Sequence, residues 1–399
     1  MVKAYRDCFT TSVSEKSKWF KSATWDGELG QQATLALKDL LEHSMQEEIK
    51  RHLGGLSSHQ RSPQRTDQRN GYYQRDLVTT RGTVQNLRVP RSRRGTYRPG
   101  VLDRYRRRTA DVDEAICDMF CRGVSTREVG DILETLTGTA VSASTVSNVV
   151  TVLDEHVRAY HQRPLEDHYV YLLLDGIVLR AKGPNGSRKV LVLAAYAITA
   201  DGHRELIDFC QAASESEAEC TRFLESLYRR GFKGEALRLI TTDGGAGMIA
   251  ALDMVYPMAP RQRCWVHKLR NVCNKLHKPN RDPCLKEAKQ IYLAPTRREA
   301  TQRFRTWARH WQDREPAAVE CLTRDIEALL RCFDMPAHHR ITIRTTNPIE
   351  RAFREVRRRT NTMSCFNNPK SIDRIMFAVF HHQNANWELH PIKRFTQKT

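Results

Sequence analysis

The sequence predicts an α/β fold, a mixed sheet crossed by helices with a helical region ahead of it. Three observations carry this. Mostly apolar runs at YVYLLLDGIVLR (169–180) and KVLVLAAYAIT (189–199) read as strands. The Asp201-Gly202 pair behind the second run is a hairpin signal. Apolar residues recur at helical spacing over 111–158 and again over 278–340.

Residues 27–56 show helical spacing through Leu35, Leu37, Leu40, Leu41, Met45 and Ile49, with Gly54 and Gly55 ending the pattern. Residues 57–108 are rich in Arg, Ser, Gln, Gly and Pro and poor in acids. RVPRSRRGTYRPG and DRYRRR are basic runs with tyrosines interleaved, and TVQNLRV reads as a short strand. The stretch is either a solvated linker or a basic arm that tracks phosphates, and the net charge favours the arm.

Three helices are expected next: DVDEAICDMFCRG, STREVGDILETL and SASTVSNVVTVLDEHV. Ser125 and Glu128 have capping-box spacing at the start of the second. A Gly-containing turn before the third fits a helix-turn-helix, which would put Ser144, Thr145, Ser147 and Asn148 at the exposed start of a recognition helix. The turn is longer than that motif usually has. A small bundle with no DNA contact is the alternative.

After the two long strands, HRELIDFC is a third strand. SESEAECTRFLESLYRRG is a helix, with Ser214 and Glu217 again spaced as a capping box. LRLITTD is a fourth strand, GMIAALDMVY a helix and APRQRC a short fifth strand, followed by a helix from Trp265. Three strands joined by hairpins, then helix, strand, helix, strand, is the order of a ribonuclease-H-like core. The expected domains are an N-terminal helix and basic arm (1–110), a helix-turn-helix-like DNA-binding domain (111–160), a ribonuclease-H-like domain (165–277 with 341–399), and a helical insertion (278–340).

The chain has 399 residues and a formal net charge of +19, which favours a polyanionic partner, most simply nucleic acid. No apolar run approaches the roughly 20 residues of a spanning helix, so a membrane-spanning protein is excluded. The start MVKAYRDCFTTSV lacks an apolar export segment. The eleven cysteines therefore read as reduced thiols of a cytoplasmic chain.

Three carboxylates stand out. Asp175 and Asp243 are each followed by Gly, and each is expected where an apolar strand runs out. Glu350 opens a helix in TTNPIERAFREVRRRT (345–360). Strand ends can aim two such acids at one point, and three neighbouring anions repel unless a cation joins them. Two Mg²⁺ ions about 3.5–4 Å apart, with Mn²⁺ as a substitute, would activate an oxygen nucleophile and neutralise a leaving oxygen in phosphodiester chemistry. The bland alternative is two turn aspartates preceding glycine.

Arg351, Arg354 and Arg358 fall on one helical face, flanked by Arg357 and Arg359, as a phosphate-gripping surface or a solvated one. Cys264 and His267, with Cys273 and His277, have a spacing that could suit zinc, but one helix through VHKLRNVCNKLH would hold them apart. Cys264 and His267 are instead expected beside the acids, as support or as buried structural residues. Trp307 and Trp311 share a helical face and read as core, with base stacking as the alternative.

These motifs resemble the Mutator-type transposases of bacterial insertion sequences, within the Asp-Asp-Glu superfamily. The resemblance rests on the Asp175-Gly176 strand, DGHRELIDF (201–209), TTDGGAGMIAAL (241–252), RCWVHKLRNV (263–272) and TTNPIERAFREVRRRT. It implies Asp175, Asp243 and Glu350 as catalytic metal ligands and Cys264-x-x-His267 as the pair downstream of the second acid. It also implies hydrolysis and strand transfer at terminal inverted repeats, target DNA as second partner, and a homodimer that joins two element ends. A DNA-binding regulator and a structure-specific nuclease on the same fold are the alternatives.

Overall fold

The computed structural model describes residues 24–54, 67–102, 106–183, 186–361, 366 and 368–396. Parts of two expected features, Gly55 and the start of DRYRRR, lie outside them. The chain divides into two compact units, Met1–Val152 and Leu153–Thr399.

In the first unit, helix α1 (Thr24–His52) precedes an antiparallel hairpin of β1 (Arg69–Thr79) and β2 (Gly82–Ser92). Within the stretch expected as an arm or linker, residues 69–92 are therefore a two-stranded ribbon, and TVQNLRV lies in its second strand. Met45 of α1 packs with Leu77, Val84, Leu87 and Val89 of the ribbon, and this burial holds an otherwise marginal hairpin. Three helices follow: α2 (Ala110–Cys121), α3 (Thr126–Thr137) and α4 (Ala143–Val149). The Ser125–Glu128 capping box forms with both bonds present. The Thr83 hydroxyl donates to the Thr137 carbonyl at 2.9 Å, fixing the ribbon to the end of α3.

The second unit opens with α5 (Leu153–Gln162) and the hairpins β3 (Tyr169–Gly183), β4 (Gly186–Thr199) and β5 (Arg204–Ala212). Then come α6 (Glu217–Arg229), β6 (Leu239–Thr242), α7 (Ala246–Val255), β7 (Arg261–Arg263) and α8 (Trp265–Cys273). The sheet order is β5-β4-β3-β6-β7, antiparallel among the first three and parallel from β3 to β7. The fold is thus mixed α/β. Residues of α6 and α7, such as Phe223, Leu224, Ala251 and Leu252, bury one face of the sheet through Leu172, Leu174, Leu193 and Ile240.

Two local expectations are corrected. Helix α6 is capped by Ser216, which accepts from the Glu219 amide, so it starts two residues later than a Ser214 cap would place it. Strand β3 does not end at Asp175: the hairpin with β4 continues to Gly183, pairing Asp175 with Ala194. What stops before Asp175 is the parallel ladder with β6, whose last pair on β3 is Leu173↔Thr241. Further along that edge Phe366 pairs with Ala181. Asp175 therefore sits on an edge left open between two pairings.

Helices α9 (Arg281–Tyr292), α10 (Arg297–Trp311), α11 (Pro316–Thr323), α12 (Ile326–Leu330) and α13 (Ala337–Ile343) follow. Trp307 and Trp311 are buried and donate to the Cys284 carbonyl and to Glu287, so they are core and unavailable to a base. The chain closes with α14 (Asn347–Thr360), α15 (Pro369–Glu388) and α16 (Lys393–Thr396). Helix α15 packs on β5 and α5, where Arg374 makes two bonds to Asp154 at 2.7 and 2.9 Å. Among the described residues no helix is long and apolar enough to cross a membrane.

Candidate active site

Register brings the two aspartates together. Leu173 on β3 is level with Thr241 on the parallel β6, so two residues further on Asp175 and Asp243 come level. The turn after Asp243 is tight. Gly244 has φ +84°, and a Cβ there would lie 2.5 Å from Nε of Arg263, so only glycine fits. The Asp243 carboxylate accepts from the Gly245 amide at 3.0 Å, and Asp175 from the Gly176 amide at 2.8 Å.

Glu350 arrives from the far side of the helical segment. The Thr241 hydroxyl donates to the Ile343 carbonyl at 2.6 Å, and the Trp265 amide to the Arg344 carbonyl at 3.2 Å. These bonds hold the segment leading to α14 against β6 and the start of α8. Pro348 at the second helical position suits a first turn that lacks partners for its amides. Ile349, Ala352, Phe353 and Val356 bury the other face of α14, which fixes its rotation.

Asp175, His267 and Glu350 each place a ligand atom within 4.8 Å of the others. His267 Nε2 lies 3.5 Å from a Glu350 oxygen, and the exposed Arg270 lies 3.8 Å from the same oxygen. The Thr346 amide donates to Cys264 Sγ at 3.3 Å, and the Thr346 hydroxyl lies 3.4 Å from His267 Nδ1. Cys264 and His267 are thus at the acids. Cys273 and His277 are not: His277 pairs with Glu315, and among the described residues no metal-holding group includes either. The tetrahedral zinc arrangement is not assembled.

The charges are interdependent. Burial raises the Asp175 pKa to about 6, with Asp243 adding, against the lowering from His267 and the Thr346 and Gly176 hydrogen bonds. The bond to Cys264 raises His267 to about 9 against burial, with Asp175 and Asp243 contributing. Burial works against the Cys264 thiolate, yet hydrogen bonds from His267 and Thr346 outweigh it and lower the thiol. A cationic imidazole thus sits among the carboxylates. The close-set carboxylate oxygens of Asp175 and Glu350 are hard donors that fit a divalent cation, with the imidazolium beside them as a charge partner rather than a ligand.

Sequence reasoning missed one carboxylate. A Cβ on Gly176 would lie 3.4 Å from one Glu215 oxygen, and a Cβ on Gly245 3.5 Å from the other, which places Glu215 beside both aspartates. Its side chain reaches solvent, but packing around the carboxyl and then the Asp243 charge raise its pKa. Reading Ser214 as the cap hid Glu215 inside a helix. The register Ala212↔Leu191↔Val178 brings the end of β5 level with residues just past Asp175, a placement that no signal in the linear sequence announces.

Arg351, Arg354 and Arg358 line one cleft of about 1150 Å³, joined there by Arg204, Arg344 and Arg394. Glu355, which pairs with Arg358 at 2.9 Å, is its acidic member. Arg357 is on a different face, beside Val178 and Arg180, and Arg359 is tied to Glu355 at 2.8 Å. In the first unit, Ser144 and Asn148 are exposed while Thr145 and Ser147 are half-buried on the short α4. The Ser142 hydroxyl caps that helix and lies 2.9 Å from the hydroxyls of both Ser144 and Thr145.

Residues 10–389 match the family model described as "Transposase, Mutator family". The chain belongs to the Mutator family of transposases. Among similar curated members, "Transposase for insertion sequence element ISRM5" of Rhizobium meliloti (strain 1021) is 34% identical over 88% of this chain and 86% of its own length. "Transposase for insertion sequence element IS406" of Burkholderia multivorans is 35% identical over 84% of this chain and 86% of its own. "Transposase for insertion sequence element IS256 in transposon Tn4001" of Staphylococcus aureus is 32% identical, covering 89% of both chains. For this Mutator-family chain, the matched span contains every residue of the acidic site.

Proposed function

We propose that this chain is an insertion-sequence transposase whose catalytic unit is a ribonuclease-H-like domain of the Asp-Asp-Glu type. The supporting observation is the convergence of Asp175, beside Asp243 by register, with Glu350 from a helix far along the chain. In this reading 165–277 and 341–399 form the catalytic domain, 278–340 is an insertion, 111–160 is a DNA-binding domain, and 1–110 is an N-terminal helix and basic region.

Asp175, Asp243 and Glu350 would hold two divalent cations, Mg²⁺ or Mn²⁺, which when bound supply the charge that activates the attacking oxygen and neutralises the leaving one. The protein's own tasks are positioning and charge placement. Arg351, Arg354 and Arg358 grip the phosphates of the strand that enters beside Glu350, with Arg357 on the neighbouring face. His267, held through Thr346 and Cys264, fixes the Glu350 carboxylate. Water first hydrolyses the phosphodiester at the element end and leaves a 3′-OH. That hydroxyl then attacks a phosphodiester of target DNA, forming a new P–O bond and displacing the target strand's 3′ oxygen. Two ends must meet, so the working form is a homodimer on DNA.

The test is incubation of the purified chain with Mg²⁺ and a labelled duplex carrying the inverted repeat that flanks its own gene. Nicking at the repeat end followed by joined products, absent in Asp175→Ala and Asp243→Asn, is expected. Retained cleavage by Asp243→Asn would overturn the metal assignment. Cleavage without joining by the unaltered chain would support a nuclease instead.

A further inference from the structure

We propose that the β1–β2 ribbon, rather than the three helices that follow it, reads the DNA ends; the inference rests on the transposase reading above and moves end recognition from residues 111–160 to the ribbon. Charge separates the two candidates. Residues 67–102 contain eight arginines against two acids, whereas residues 110–152 contain seven acids against two arginines. Phosphate contact supplies most of the affinity for a duplex, and an acidic surface opposes it. Helix α4 has no basic residue in its first or last turn, and the Ser144 and Thr145 hydroxyls are already engaged at its cap.

The ribbon's own acids are occupied with backbone. The Asp76 carboxylate accepts from the Asn86 amide at 2.8 Å, and Asp67 accepts from the Arg94 amide at 2.9 Å. On α1, Glu42 accepts from the Arg88 amide at 2.9 Å. These bonds stiffen the hairpin and turn the acids toward backbone amides rather than toward the Arg88 and Arg91 guanidinium groups. Arg88 lies 5.2 Å over the ring of Tyr72 and Arg91 lies 5.3 Å over that of Tyr73, and both tyrosines are exposed.

Alternation then fixes what faces outward. Leu87 and Val89 are buried toward α1, so Arg88 between them points away. Gln74 is its direct cross-strand partner, and both are exposed. A two-stranded ribbon fits the major groove, where Arg pairs in bidentate fashion with guanine and Gln with adenine. The Tyr72 ring pre-orients the Arg88 fork, which lowers the cost of ordering it on binding. Gln74 and Arg88 are the base-reading pair, and Arg91, Arg93 and Arg94 hold the flanking phosphates.

The experiment is fluorescence anisotropy of the full chain on the inverted-repeat duplex and on a scrambled duplex of equal length. Variants are Arg88→Ala, Gln74→Ala and, on α4, Asn148→Ala, each checked by thermal melting. Because Arg88 and Gln74 are exposed, the melts should be unchanged. Arg88→Ala should weaken end binding roughly tenfold and cut the preference over scrambled duplex, with Asn148→Ala near the unaltered chain. Arg93→Ala should weaken both duplexes alike and reduce the salt slope by about one. Specific binding by the unaltered chain that survives Arg88→Ala and Gln74→Ala but is lost in Asn148→Ala would overturn the ribbon alone. An unaltered chain that binds its own ends no better than scrambled duplex would overturn the end-binding reading and the ribbon with it.

Discussion

The Thr346 amide donates to the Cys264 thiol at 3.3 Å, tying the cap of the Glu350 helix to the start of α8. Through this bond and the neighbouring imidazole, the placement of Glu350 depends on a residue that follows β7. Cys264 thus reads as a positioning residue, and its effect should show in the titration of His267. Replacing Cys264 by Ala removes the largest cause that lifts the imidazole to about 9. The NMR-monitored His267 midpoint should fall toward its ordinary value of 6.5. An unmoved midpoint would mean that the carboxylates alone set it.

The same imidazole predicts a stability profile. Its folded-state pKa lies above the unfolded value, so its charged form favours folding fully below pH 6.5 and loses that contribution as pH rises through about 9. Thermal melts of the metal-free chain should therefore decline across that window. His267→Gln should flatten the decline; an unchanged slope would remove His267 as the cause.

Metal affinity should depend on pH through Asp175. Burial holds its carboxyl near 6, so protons compete with a cation below that value. Calorimetric titration with Mn²⁺ should show affinity falling as pH drops from 7 to 5, by approximately tenfold per unit once Asp175 is protonated. A flat profile would place the cation elsewhere.

Removing either aspartate should cost activity without costing DNA. Asp175→Asn or Asp243→Asn should lower end cleavage by roughly 10²-fold or more, because charge at the reacting oxygens is lost. Anisotropy should show end binding within about twofold of the unaltered chain, since neither acid contributes attraction for phosphate. A parallel loss of binding would indicate unfolding or a different role.

Gly247 should be intolerant for a packing reason. A Cβ there would lie 2.1 Å from the Glu215 carbonyl oxygen, backbone that cannot swing aside. Gly247→Ala should destabilise the fold by about 1–3 kcal/mol in denaturant titration and shift Glu215 away from the aspartates. A neutral result would show that the α6–α7 approach is looser than described.

Much of this was legible in the residues. KVLVLAAYAIT is too apolar to be solvated, is rich in β-branched residues and ends at the Asp201-Gly202 hairpin signal, so β4 followed from pattern and turn chemistry together. Asp175 and Asp243 stood out because each interrupts or follows an apolar run, whereas Glu350 stood out by its place at the start of a basic helix. The course of β3 past Asp175 was not, because hairpin pairing with β4 overrides the local break at Asp175-Gly176. The ribbon was half legible: TVQNLRV offers Val84, Leu87 and Val89 as apolar positions, but RNGYYQRD has exposed residues on both faces and no apolar alternation to announce a strand. Glu215 was invisible because its partners are set by register between strands, which a linear reading does not encode.

The hydrogen bonds from Thr241 to Ile343 and from Trp265 to Arg344 also carry a consequence for how the molecule comes into being. Synthesis delivers β3 through α8 first, then a run of helices that bury their own tryptophans, and only afterwards the segment that carries Glu350. The sheet ends that carry Asp175 and Asp243 are therefore made well before the segment that caps them, and the helix α15 that packs on β5 comes later still. In the transposase reading proposed above, chain order would act as a safety catch: a nascent product stopped before the TTNPIE line would hold only two of the three proposed metal ligands.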